Sequence, residues 1–141
     1  MTSLRIDRTL PAPTVRVWSA LTDETALAAW FWPASLHPRA SVDEAGYALT
    51  GDNLAVRGRY LEFAPPHRLR FTWHWDGEDA ETVVSIDMSG VDGATELTLR
   101  HDGFADVDAR DAHITGWTQC LDRLPAYLAG SDQKAETDKR G

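Results

Sequence analysis

Cysteine is almost missing from this chain of 141 residues: Cys120 is the only one. No intrachain disulfide can form, which fits a reducing compartment, and the cytoplasm is the expected location. Lysine occurs only at Lys134 and Lys139, and arginine is scattered without a cluster. With 22 acidic against 14 basic residues the net charge is -8. Such a surface repels a phosphate backbone, so nucleic acid is excluded as an expected partner. No apolar run approaches the roughly 18 residues of a membrane span. The opening residues, 1–10, lack the apolar core of a signal peptide. No glycine-rich phosphate loop follows a strand. His37, His67, His74, His101 and His113 form no i, i+4 pair and have no cysteine at ligand spacing, so neither a metal nor a cofactor is expected.

What the chain does have is tryptophan, six residues in all. Large aromatics fill cores, and they also line sites for apolar ligands. Their positions follow an ordered layout. Residues 4–10 alternate as a short strand, closed by Pro11 and Pro13. Pro13 suits the first turn of a helix, where its missing N–H costs nothing. Val17, Trp18 and Leu21 then share a helical face, and Trp18 is expected to pack that helix on a sheet. Asp23 is a cap for a second short helix carrying Leu27, Trp30 and Phe31 on one face, and Pro33 stops it.

From residue 36 to 102 the period changes to two. Residues 36–42 are weakly strand-like, and further strands are expected near 46–50 and 56–63. In the clearest one, Leu69, Phe71, Trp73 and Trp75 alternate with Arg70, Thr72 and His74. Val84, Ile86 and Met88 alternate next, and Asp92-Gly93 signals a hairpin into Leu97, Leu99 and His101. The last element is one long helix capped by Asp106, with Asp108 and Asp111 in its first turns. His113, Trp117, Leu121, Leu124 and Leu128 form its apolar stripe. Pro125 is expected to kink its end and Gly130 to stop it. The result is an α+β domain over residues 1–130, an antiparallel sheet around a C-terminal helix, followed by a disordered charged tail at 131–141.

Several segments together resemble the activator of Hsp90 ATPase homologue 1-like family, within the START/Bet v 1-like (SRPBCC) superfamily. They are Val17-Trp18-Ser19-Ala20-Leu21-Thr22-Asp23, Leu27-Ala28-Ala29-Trp30-Phe31, Gly58-Arg59-Tyr60-Leu61-Glu62, the run from Pro65 to Trp73, the run from Thr95 to His101, and Gly116-Trp117 with Leu121-Asp122-Arg123-Leu124. The resemblance spans about residues 4–128. It implies a helix-grip fold: seven antiparallel strands curl around the long helix, and two short helices follow the first strand. It also implies a cavity between sheet and helix for an apolar or amphipathic small molecule. A cyclase- or hydrolase-type enzyme using that cavity is the alternative. A co-chaperone of the Hsp90 type is the less expected one, because the eukaryotic activator carries this domain behind another and this sequence opens at the first strand. Self-association as a homodimer is left open.

The candidate ligand-binding residues are Trp30, Trp32, Phe71, Trp73, Trp75, His101, His113, Trp117 and Cys120. Each of these aromatics serves equally well as plain core. His101 shares the register of Leu97 and Leu99, so it faces the apolar side of the sheet. There it is either a group for ligand or proton transfer or a core histidine satisfied by a hydrogen bond. His113 is placed to meet His101 across the cavity mouth. It lies about 10 Å along the helix from Cys120, too far for a Cys–His nucleophile pair. Cys120 is expected to be a small buried apolar residue. Alternation puts Tyr60 on one face of its strand and Leu61 and Phe63 on the other.

Overall fold

The computed structural model describes the backbone of residues 2–140 and the side chains of residues 2–130. Strand β1 (Thr2–Leu10) leads into α1 (Thr14–Thr22) and α2 (Glu24–Trp30). A single 3-10 turn (Ala34–Leu36) precedes β2 (Arg39–Val42), β3 (Gly46–Gly51), β4 (Leu54–Ala64), β5 (Arg68–Trp75), β6 (Thr82–Val91) and β7 (Ala94–Phe104). The chain ends in α3 (Val107–Arg140). The side chains of the expected tail at 131–141 lie outside the described residues. Gly130 does not stop the helix as expected. It lies within α3 and lacks the left-handed backbone that a glycine cap adopts. Among the described residues, no helix is long and apolar enough to cross a membrane.

The strands form one antiparallel sheet in the order β1-β7-β6-β5-β4-β3-β2. The two short helices carry the chain from one edge of that sheet to the other, and a meander then returns to pair β7 with β1. Alternation decides which face is buried. Leu69, Phe71 and Trp73, then Val84, Ile86 and Met88, then Leu97, Leu99 and His101 all point to the concave side and are buried. Trp117, Cys120, Leu121, Leu124 and Leu128 of α3 pack onto them. This is the seven-stranded helix-grip architecture.

Local chemistry sets the corners. Asp23 accepts from Ala26 N at 2.9 Å, and Asp106 accepts from Ala109 N at 2.8 Å, so both expected caps form. Pro13 takes the cap position of α1 instead of its first turn. Asp92 and Gly93 have φ of 52° and 81°, as a two-residue hairpin turn of this twist requires. A bulge falls between Tyr60 and Glu62, leaving Leu61 without a cross-strand partner. The extra residue shifts the alternation. Tyr60 pairs with Phe71 and Phe63 with Leu69, so both aromatics lie on the concave side, with ring centroids 5.2 Å apart. Strict alternation had put them on opposite faces. Phe63 in turn meets Trp18 edge-on at 5.1 Å, which seats α1 on the sheet.

Gly58 is required by a close crossing. Tyr47 Oη reaches over β4 to donate to Thr72 O at 2.6 Å. A Cβ on Gly58 would lie 1.8 Å from that same carbonyl oxygen and 2.7 Å from the Tyr47 ring. Gly58→Ala is therefore expected to destabilise the fold by about 1–3 kcal/mol, the usual range for overpacking. A fall in the urea midpoint at unchanged m-value measures it, and an unchanged midpoint would contradict the crossing.

Candidate functional site

The space between sheet and helix is divided. The inner void is only about 30 Å³ and is bounded by side chains such as Leu27, Leu49, Phe71 and Ile86. A second cavity of about 380 Å³ opens at the mouth of the grip. Phe31, Trp73 and Trp117 line both spaces and so form the partition between them. Trp73 and Trp117 lie 5.0 Å apart, and Phe31 meets Trp117 edge-on at 5.6 Å. A depression of about 450 Å³ on the outside of the sheet is more open and is lined in part by Arg57, Arg59 and Glu81. It lacks the enclosed apolar surface of a small-molecule site.

Three parts of the chain build the mouth cleft. The segment after α2 brings Trp32, Pro33 and Leu36, and the sheet brings Leu54, Trp73 and Trp75. Helix α3 contributes Ala112, His113, Gly116, Gln119, Cys120 and Arg123, one face at helical spacing. Trp32 stacks on Trp75 at 6.2 Å with 12° between the planes. Small residues make the room on the helix side: a Cβ on Gly116 would meet nothing within 4 Å.

Both histidines at this end are held by indoles. Trp117 Nε1–H donates to His101 Nδ1 at 3.0 Å. An indole N–H can only donate, so His101 carries its proton on Nε2. That proton goes to Thr82 Oγ1 at 2.6 Å, and Thr82 donates onward to Trp73 O at 3.2 Å. His113 repeats the device with the opposite tautomer. Trp75 Nε1–H donates to His113 Nε2 at 2.9 Å, and His113 Nδ1–H donates to Ala109 O at 2.7 Å. The two imidazoles face each other edge-on, 5.1 Å between centroids. All four ring nitrogens are engaged.

Electrostatics agree with this division of roles. Burial, with a smaller contribution from His113, pushes His101 down to about 3. It is neutral at physiological pH, and its one N–H is committed to Thr82. Burial pushes the Cys120 thiol well up, and nearby Arg123 offsets only part of that, so no thiolate nucleophile is available. Arg123 Nε donates to Trp30 O at 3.1 Å and its Nη2 to Phe31 O at 2.6 Å, tying α3 to the end of α2. Trp73 Nε1 is buried without a hydrogen-bond partner among the described residues. No group of three or more His, Cys, Asp or Glu among the described residues is arranged to hold a metal ion.

Residues 11–129 match the family model described as activator of Hsp90 ATPase homolog 1-like protein. The chain belongs to this family. Protein CV1439 from Chromobacterium violaceum is 27% identical, with a TM-score of 0.78 over 89% of this chain and 96% of that one. DynU16, described as a putative protein in the dynemicin biosynthetic locus, is 26% identical with a TM-score of 0.78. That match covers 90% of this chain and 47% of DynU16, about half its length. An Hsp90 activator from Plasmodium falciparum, at 20% identity and a TM-score of 0.76 over 92% of this chain and 97% of its own, shares the fold. No curated protein matches this chain.

In this family member, Trp32, Trp73, Trp75, His113, Trp117 and Cys120 meet at the cleft. Phe71 faces the inner void instead. Trp30 belongs to the core: it is buried, and its Nε1 donates to Ala20 O at 2.8 Å. His101 stands behind Trp117 as a satisfied core histidine. Sequence reasoning missed Arg123 and Gly116. Their spacing to Trp117 and Cys120 on α3 was the available signal.

The neutral His101 has a measurable consequence. Its folded value lies below the ordinary 6.5, so the unfolded chain binds more protons between about 6.5 and about 3. Stability from this group is complete above that window and falls as pH drops through it, at about 1.4 kcal/mol per pH unit. Urea titrations at stepped pH should show a shallower acid slope in His101→Gln than in the unsubstituted protein. Equal slopes would refute the assignment.

Proposed function

We propose that this protein binds an apolar or amphipathic small molecule in the cleft at the mouth of the helix grip. The cleft itself carries this reading: about 380 Å³, walled by indoles on one side and by small residues of α3 on the other. That volume lies in the range of small-molecule sites. The walls are prepared beforehand. Trp75 is fixed by His113 and stacked on Trp32, and Trp117 is fixed by His101, so little side-chain ordering is left for binding. The buried free thiol is consistent with a reducing cytoplasm.

An acid–base enzyme built on the histidines is less well supported. Each ring already exchanges hydrogen bonds with an indole on one nitrogen and with a hydroxyl or carbonyl on the other. The neighbour from the dynemicin locus and the Plasmodium activator carry their own descriptions, and no side chain here favours the second.

N-phenylnaphthylamine, a neutral dye that brightens in apolar sites, tests the reading. It is expected to titrate one saturable site on the native protein. Gly116→Leu places a side chain in open space and removes a helix-interior glycine, so the fold should gain up to about 1 kcal/mol. The same substitution fills the cleft and should weaken the dye at least tenfold. Undiminished binding to the folded variant would put the ligand elsewhere.

A further inference from the structure

We propose that the ligand of this cleft is an anion: an aromatic or apolar body bearing a carboxylate, with the acid group taken by Arg123. This rests on the cleft being the binding site. The chain is strongly acidic, at -8 overall, yet no Asp or Glu lines the cleft. Arg123 is the one formally charged side chain in its wall. Among the described residues it has no carboxylate partner; its two bonds go to the backbone carbonyls of Trp30 and Phe31. A guanidinium has more N–H groups than those two bonds use. The carbonyls hold the charge in place without neutralising it.

The histidines add no competing acceptor, since His101 Nδ1 and His113 Nε2 are already taken. The cleft therefore offers the Arg123 positive charge and its remaining N–H groups, and a complementary ligand supplies oxygens that accept. The Arg123 charge is felt inside this wall, where it works against the burial that raises the Cys120 thiol. Stacked indoles fix the rest of the ligand as flat and apolar.

Calorimetric titration of a naphthalene carboxylate and of the matching uncharged carboxamide, at neutral pH, separates the charge from the rings. The native protein should prefer the carboxylate at least tenfold at low salt, and the preference should shrink as salt screens the pair. Arg123→Lys keeps the charge and should retain part of the preference. Arg123→Gln should abolish it while leaving the carboxamide nearly unchanged. Should the glutamine variant fail to fold, the native and lysine titrations with their salt dependence decide alone. Equal binding of the two probes, or a preference insensitive to salt, overturns the anion assignment but leaves the cleft as a site. If neither probe binds, or both bind Gly116→Leu unchanged, the cleft reading falls and this inference with it.

Discussion

One buried hydrogen bond sets the position of the long helix. Hydrophobic burial alone pulls α3 into the sheet, but that force is non-directional and would tolerate sliding or rotation. The bond from Trp117 Nε1–H to His101 Nδ1 does not. It fixes one point of α3 against one residue of β7. The indole can only donate, so the histidine must be neutral and must carry its proton on the far nitrogen. Thr82 must then accept that proton and pass its own to the Trp73 carbonyl. Every hydrogen in the line has one direction. The line holds only while His101 stays neutral, and complete burial keeps it so. A buried polar network with all members satisfied rigidifies and specifies an arrangement, whereas the same residues half-paired would weaken it.

The same device recurs nearer the solvent. Trp75 donates to His113, which donates to a carbonyl of its own helix. The two networks use opposite histidine tautomers, because the indoles approach opposite ring nitrogens. Two strand-borne or helix-borne indoles are thereby held at the end of β5 and against α3, and Trp32 stacks on one of them. Arg123 closes the third side by tying α3 to the last carbonyls of α2. The cleft is a consequence of these ties more than of the sheet's curvature.

Much of the fold was legible from sequence because its signals are local. Alternation in Leu69–Trp75 and Leu97–His101, the caps at Asp23 and Asp106 and the Asp92-Gly93 turn each specify their own geometry. The bulge at Leu61 was not legible. An extra residue leaves no mark in the pattern until the partner strand is known, and it reverses the expected face of Phe63. Gly130 misled for a related reason: a glycine can end a helix, but the backbone decides whether it does. The site was half legible. The aromatic strand and the stripe of α3 named most of the cleft wall, yet Trp30 has the same composition signal and is core. Arg123 was invisible because its role depends on where α2 ends in space. The pairing of Trp117 with His101 was equally hidden, although the place of His113 near the start of α3 allowed it to meet His101.

The location of the cleft follows from where large and small residues stand, and this limits what architecture says about function. A sheet curled around a helix leaves a gap only if the side chains between them fail to fill it. Here Phe31, Trp73 and Trp117 fill the middle and reduce the inner space to about 30 Å³. Ala112 and Gly116 leave the mouth empty on the helix side. Exchanging one indole for a small residue in the partition would join the two spaces without altering a single strand. Close-packed interiors make such a change local, since neighbours relax only partly around a void. Relatives with the same sheet order can therefore hold differently placed and differently charged pockets. Family membership fixes the frame. The shape and charge of the pocket are decided by a handful of side chains on its inner surface, and in this chain those are indoles, a glycine and one arginine.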